Sequence, residues 1–136
     1  MEYNELLTTV NGSKQIFHVT EEVYHAFQTC SNDRNPLHTE ESFAVSKGFR
    51  SKVMYGNILN AFVSFFVGEC LPTKEVVIHS QEIQYKNPVY MNDTLIFDAK
   101  VDGIYESVNT VEFKFKFVNE EGLVVAKGKV QIGVFL

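Results

Sequence analysis

Alternating apolar and polar residues mark the second half of the chain as a series of β-strands. The two-residue period of a strand runs over residues 95–101 and recurs over 111–117. A third alternating run, 124–134, follows the turn sequence at 119–122, which predicts a hairpin. Residues 76–85 are rich in β-formers, with imperfect alternation. Because hairpin-linked strands run antiparallel, these patterns predict an antiparallel sheet with one solvated face.

Helical spacing dominates the first half, after a short strand predicted at 14–19. Thr20 is suited to cap a helix, since acidic residues follow it in the first turn. The apolar residues of this helix recur at helical spacing: Val23, Ala26, Phe27 and Cys30. Residues 31–37 are expected to form a loop. Thr39 is expected to begin a second short helix, and Gly48 is a plausible end for it.

The segment from Gly56 to Glu69 predicts a helix with apolar residues over most of its surface. Such a helix is expected to be buried on nearly all sides. A narrow line of small or polar residues interrupts it: Asn57, Asn60, Ser64 and Gly68. The patterns together predict an α+β protein of the hot-dog architecture, in which a curved antiparallel sheet wraps around a long central apolar helix. The alternative is a helix lying on an ordinary open α+β sheet.

Length and charge restrict the class of protein. A chain of 136 residues with 45% hydrophobic residues predicts one domain, 1–136, with a substantial core. The net charge of -5 argues against nucleic acid and against a basic membrane-binding patch. We find neither a signal peptide nor an apolar run of transmembrane length. Cys30 and Cys70 are far apart in apolar surroundings, so we expect buried free thiols and a cytoplasmic location.

Asp33 and His38 are the first candidates for chemistry, at the two ends of the sequence NDRNPLH. A carboxylate that orients an imidazole can share proton transfer with it. The structural alternative is an Asx turn at Asp33 and an exposed His38. Spacing alone favours that alternative, because a pattern of two residues recurs by chance.

Gly56 is the second candidate, at the start of the apolar helix. Free N–H groups and the helix dipole can stabilise a developing oxyanion there, and glycine permits close approach. A simple turn is the alternative, as are capping by Asn57 and backbone packing for Asn60 and Ser64.

The remaining histidines show no metal-ligand spacing, and no phosphate-binding loop or nucleophile elbow is present. We therefore expect no metal site.

The combination of these features resembles the MaoC-like dehydratase family of hot-dog proteins, and within it the small R-specific enoyl-CoA hydratases. The resemblance is strongest in FQTCSNDRNPLHTEESFAVSKGF and YGNILNAFVSFFVGECL, and weaker in YKNPVYMNDTL. The positions that match the family motifs are Asp33, Asn35, Pro36, His38, Gly56 and Ser64. Their joint spacing is more specific than any one of them, and it overturns the structural interpretation of Asp33 and His38.

The resemblance implies a hydro-lyase that reversibly hydrates a trans-2-enoyl thioester to an R-3-hydroxyacyl thioester. Asp33 and His38 are then the catalytic pair and Gly56 the thioester-binding residue. The substrate-binding residues are predicted to be Asn35, Asn57, Asn60 and Ser64. CoA or acyl carrier protein is the expected carrier, no cofactor is expected, and the chain is expected to form a homodimer or larger assembly. A hot-dog acyl thioesterase, a non-catalytic acyl-thioester-binding subunit and a specialised dehydratase are the alternatives.

Two departures from the family pattern concern the substrate more than the reaction. Tyr55 and Asn57 flank Gly56 where the family usually has His-Gly-Met, and Asn92-Asp93 replaces a Gly-Asp turn. Because the backbone of Gly56 is expected to act, we expect Tyr55 not to donate a proton. We accordingly expect Tyr55→Phe to change turnover only slightly.

Overall fold

A five-stranded antiparallel sheet forms the framework of the computed structural model, which describes residues 3–11 and 13–135. The strands are β1 (Lys14–His18), β2 (Val76–Tyr85), β3 (Thr94–Tyr105), β4 (Thr110–Val118) and β5 (Val124–Val134). They lie in the order β1-β3-β4-β5-β2, so β1 and β2 form the edges. The predicted strands and the hairpin between β4 and β5 are confirmed, and β3 extends beyond the alternating run that predicted it.

The buried face of the sheet is the one that the alternation predicts. Its buried side chains include Leu95, Phe97, Val111, Phe113, Phe117, Val130 and Ile132. Burial of each such side chain stabilises the folded state by about 1.5–3 kcal/mol relative to its exposure to water. The lysines that alternate with them on β4 are exposed. One face of the sheet therefore carries the core and the other meets solvent.

Five α-helices lie within the described residues: α1 (Tyr3–Val10), α2 (Glu21–Ser31), α3 (Pro36–Thr39), α4 (Glu41–Ser46) and α5 (Ile58–Glu69). A short 3-10 helix, Glu106–Val108, joins β3 to β4. Thr20 caps α2 as predicted, because its hydroxyl accepts a 3.1 Å hydrogen bond from the Val23 N–H. Helix α1 was not predicted, although it buries Leu6 and Val10.

The prediction that Thr39 begins a helix is wrong. Asn35 caps α3 and Pro36 occupies its first turn, where a missing N–H costs nothing, so Thr39 is the last residue of α3. Glu40 then adopts extended backbone angles and separates α3 from α4. Gly48 follows α4 with a φ of 95°, in agreement with its predicted role as the end of that helix.

Helix α5 packs on the buried face of the sheet, but only one side of it is covered. The ring of Phe66 lies 5.1 Å from that of Phe97 and 5.3 Å from that of Phe113, between centroids. On the opposite side Phe65 is 46% exposed, so the expectation of a helix buried on nearly all sides is wrong for the single chain. The line of small and polar residues also lies largely on this uncovered side, where Asn57, Ser64 and Gly68 are exposed and Asn60 is half-buried.

The cysteines are free, as expected, but neither of them is fully buried. Cys30 is exposed on α2, and Cys70, at the end of α5, is half-buried. Burial raises the pKa of the Cys70 thiol. None of the helices in the described part of the chain has the length and apolar character needed to span a membrane.

Candidate active site

The loop between α2 and α3 is shaped by its own side chains. Helix α2 ends at Ser31, and the next residue, Asn32, caps it with left-handed backbone angles and a φ of 56°. The Asp33 N–H donates to Ser31 Oγ at 3.1 Å, and Asp33 Oδ1 accepts from the Asn35 N–H at 3.0 Å. Asn35 Oδ1 in turn accepts from the Leu37 N–H at 2.9 Å. The Asx turn considered for Asp33 is therefore present, and it fixes the carboxylate without burying it.

His38 is held by the segment that precedes α5. Its Nδ1 lies 2.7 Å from the carbonyl oxygen of Val53, and the Val53 N–H donates to the Leu37 carbonyl at 3.1 Å. Because a carbonyl only accepts, Nδ1 is the protonated nitrogen in this contact, and in the neutral ring Nε2 keeps its lone pair. His38 is half-buried, rather than the fully exposed residue of the structural alternative.

Tyr55 contacts both Asp33, in the loop, and His38, in α3. Its side chain is 2% exposed, and its hydroxyl donates to the Asp33 carbonyl oxygen at 2.6 Å. The same hydroxyl accepts from Gln28 Nε2 at 3.2 Å. The ring centroid lies 4.3 Å from that of His38.

Tyr24 packs behind Tyr55, with 5.0 Å between the two ring centroids. Its buried hydroxyl meets no partner with hydrogen-bond geometry among the described residues, although it lies close enough to Tyr55 to influence ionisation. Burial above all, and then the neighbouring Tyr55 and Asp33, raise the pKa of Tyr24 to about 12. Tyr24 therefore stays neutral at physiological pH.

A cavity of about 420 Å³ brings the main candidates together. Asp33, His38, Gly56 and Asn57 all line it. The remaining wall is largely apolar and consists of Phe27, Ser31, Val53, Met54, Tyr55, Leu59, Tyr85, Pro88 and Val89. Three of the predicted site residues, Asn35, Asn60 and Ser64, do not line it. An apolar cavity with a few polar groups at one place is the usual form of a small-molecule site.

Gly56 lies two residues before the first residue of α5. No acceptor for its N–H is found among the described residues. A Cβ atom at this position would stand 2.9 Å from Cε1 of Tyr85, closer than ordinary contact allows. The absence of a side chain therefore opens the backbone at this point of the cavity, next to the start of a helix.

Asn57 and Tyr85 form the side of the cavity beyond Gly56. Asn57 Oδ1 accepts from Asn60 Nδ2 at 2.9 Å and from the Tyr85 hydroxyl at 3.4 Å. Asn60 thus supports Asn57 from outside the cavity, while Ser64 is exposed further along α5. Tyr85 was not anticipated as a site residue. It ends β2, and its sequence position carries no signal that its ring lies over Gly56.

Residues 6–121 match the MaoC-like domain family. The chain belongs to this family. It is 25% identical over 107 residues to the (R)-specific enoyl-CoA hydratase of Aeromonas caviae, an alignment that covers 79% of this chain and 80% of that protein. It is 27% identical over 116 residues to the (R)-specific enoyl-CoA hydratase of Rhodospirillum rubrum, covering 85% and 80% of the two chains.

The MaoC-like chain also shares the fold of a solved relative. The solved structure of the (R)-hydratase from A. caviae, described as involved in PHA biosynthesis, superposes with a TM-score of 0.83 at 22% identity, covering 90% of this chain and 93% of that one. The predicted hot-dog fold is thereby confirmed against the alternative of an ordinary open sheet. Among the described residues of this MaoC-like chain, no group of three or more His, Cys, Asp or Glu side chains is placed to hold a metal ion.

Proposed function

We propose that this MaoC-like protein reversibly hydrates a trans-2-enoyl thioester to an R-3-hydroxyacyl thioester. The observation that carries the proposal is the single cavity lined by Asp33, His38 and Gly56. These residues come from two separate segments, and they are three of the six positions at which the sequence resembles the family motifs. The hydratases among its relatives support the same reaction class.

The reaction follows from the chemistry of these groups. The Gly56 N–H donates to the thioester carbonyl and stabilises the negative charge that develops on its oxygen. Asp33 and His38 hold one water between them. As the water oxygen bonds to Cβ, the π electrons of the double bond move toward the carbonyl, and the proton taken from water is delivered to Cα. Dehydration runs through the same steps in reverse.

The remaining predicted site residues take supporting roles in this proposal. Asn57 contacts the acyl thioester from the cavity wall, and Asn60 orients Asn57 through their hydrogen bond. Asn35 caps α3 and holds the Asp33 carboxylate, so its effect on substrate is indirect. The carrier is CoA or acyl carrier protein, and the reaction as written needs no cofactor. Free thiols at Cys30 and Cys70 are consistent with a reducing, cytoplasmic location.

Incubation with a panel of trans-2-enoyl thioesters of increasing chain length tests the proposal. Mass spectrometry of the acyl thioester should show the gain of one water, and chiral analysis should give the R product. Release of a free acid would identify a thioesterase instead. If every thioester in the panel is bound but left unchanged, the chain is a binding subunit.

We expect the chain to form a homodimer. Both edge strands have unpaired backbone groups, and such edges are usually protected. Val77 on the edge strand β2 is 41% exposed. On the outer side of α5, Phe65 is 46% exposed. Light scattering after size exclusion should give twice the 15.5 kDa mass of one chain, or a larger multiple. A 15.5 kDa species at micromolar concentration would contradict the expectation.

A further inference from the structure

We propose that Tyr55 is a positioning residue, which through its hydroxyl and its ring sets the geometry of Asp33 relative to His38 and Gly56. This inference rests on the proposed function, because it gives Tyr55 a role in the same reaction. It assigns the role to a residue at which the chain departs from the usual family sequence.

The hydroxyl of Tyr55 is the first observation. A buried phenol usually has a hydrogen-bond partner, and for Tyr55 that partner is the backbone of Asp33, 22 residues away in sequence. The short distance of 2.6 Å and the second bond from Gln28 leave the hydroxyl with one donor and one acceptor contact. The proton of Tyr55 is thus committed to a carbonyl, which argues against its transfer to substrate.

The surroundings of Asp33 are the second observation. The other hydrogen bonds of this residue, to Ser31 Oγ and from the Asn35 N–H, lie within the exposed loop itself. Such local bonds shape the loop without fixing it to the rest of the protein. The bond from Tyr55 fixes the loop at Asp33 to the segment that precedes α5.

The position of the ring is the third observation. It packs against the imidazole of His38 at 4.3 Å and against Phe27 at 5.1 Å, between centroids. Tyr55 is also joined by its own peptide bond to Gly56, whose N–H is the proposed thioester donor. One buried side chain therefore contacts both members of the catalytic pair and adjoins the third group.

Tyr55→Phe tests the role, because phenylalanine keeps the ring against His38 and removes the hydroxyl, with its bond to Asp33 and the bond that it accepts from Gln28. We expect kcat to fall by roughly 10- to 30-fold, since small displacements of reacting groups cost up to about a hundredfold in rate. KM should change by less than about twofold, because the thioester contacts at Gly56 remain. This loss exceeds the slight change expected from the sequence, which could not show the bond to Asp33.

Tyr24→Phe is the matched control. Tyr24 is also buried in the same aromatic cluster, but its hydroxyl has no partner with hydrogen-bond geometry among the described residues and the residue does not line the cavity. Its kcat should stay within about twofold of wild type. Hydrogen exchange measured by mass spectrometry should accelerate in peptides covering residues 31–38 for Tyr55→Phe and not for Tyr24→Phe.

Gln28→Leu supplies a second test, because the Gln28 side chain donates to the Tyr55 hydroxyl, which in turn donates to Asp33. We expect a smaller loss of kcat in the wild-type background and no further loss in Tyr55→Phe, the non-additive pattern of residues that act in series. Equal losses in both backgrounds would overturn the inference.

The outcomes separate this inference from the proposed function. If the wild type hydrates enoyl thioesters and Tyr55→Phe keeps its kcat, or loses it without faster exchange in the loop, the positioning role is wrong and the proposed function stands. A loss in Tyr55→Phe beyond about a hundredfold would indicate that Tyr55 takes part in proton transfer, which also overturns positioning. A wild type that is inactive on the whole panel overturns the proposed function and the inference with it.

Discussion

Asp33→Asn and His38→Gln should each lower the hydration of crotonyl-CoA, or of the shortest enoyl-CoA that the protein accepts, by ~10²–10⁴-fold. This loss corresponds to roughly 3–5 kcal/mol of activation free energy. Both variants remove proton transfer while keeping a polar side chain of similar size. The decrease in absorbance of the conjugated thioester measures the rate.

The structure explains why both variants should fold. The amide oxygen that Asp33→Asn introduces can accept from the Asn35 N–H as the Asp33 carboxylate does, so the turn keeps its hydrogen bond. His38→Gln gives up the contact of Nδ1 with the Val53 carbonyl, at a cost of about 1 kcal/mol. Circular dichroism and thermal melting on the same samples check this point.

The double variant is the sharper measurement. If Asp33 and His38 hold one water together, removing both should cost little more than the worse single change. His25→Gln is a suitable control, since His25 is exposed on α2 and does not line the cavity. Wild-type turnover in either folded single variant would show that the chemistry lies elsewhere.

The parts of this protein that the sequence predicts well are those in which local pattern and burial coincide. Alternation over β3, β4 and β5 reports which face of the sheet is buried, and the predicted cap Thr20 acts on a backbone group three positions away. The error at Thr39 has a local cause as well. The pair Asn35-Pro36 is a cap followed by a first-turn proline, a local signal for the start of a helix that the predicted loop at 31–37 overlooks.

The contacts that complete the site cannot be predicted from a local sequence pattern. The bond from Tyr55 to Asp33 and the ring of Tyr85 over Gly56 join segments that are distant in sequence, and neither has a local signature. The exposed side of α5 is a different case. An apolar helix indicates that its surface will be covered, but not whether the same chain or a second copy covers it.

Gly56→Pro should lower kcat by ~10²–10³-fold or more, since the loss of one oxyanion donor usually has an effect of this size. Proline deletes the N–H that has no acceptor among the described residues and that faces the thioester in the proposed mechanism. The change also restricts the backbone of Tyr55, which adds to the loss through the contact with Asp33. Stopped-flow measurement of single turnovers would report the chemical step directly.

Gly56→Ala separates the N–H from the space that glycine leaves. Alanine keeps the donor, but its Cβ would stand 2.9 Å from Cε1 of Tyr85, so the tyrosine ring must move aside. Because Tyr85 is 51% exposed, that movement is open to it, and we expect a loss of less than about tenfold. Adding Tyr85→Ala should recover most of this loss by removing the crowded ring. If Gly56→Ala is as damaging as Gly56→Pro and Tyr85→Ala recovers nothing, the losses do not come from the N–H, which alanine keeps, and the thioester must be held by another group.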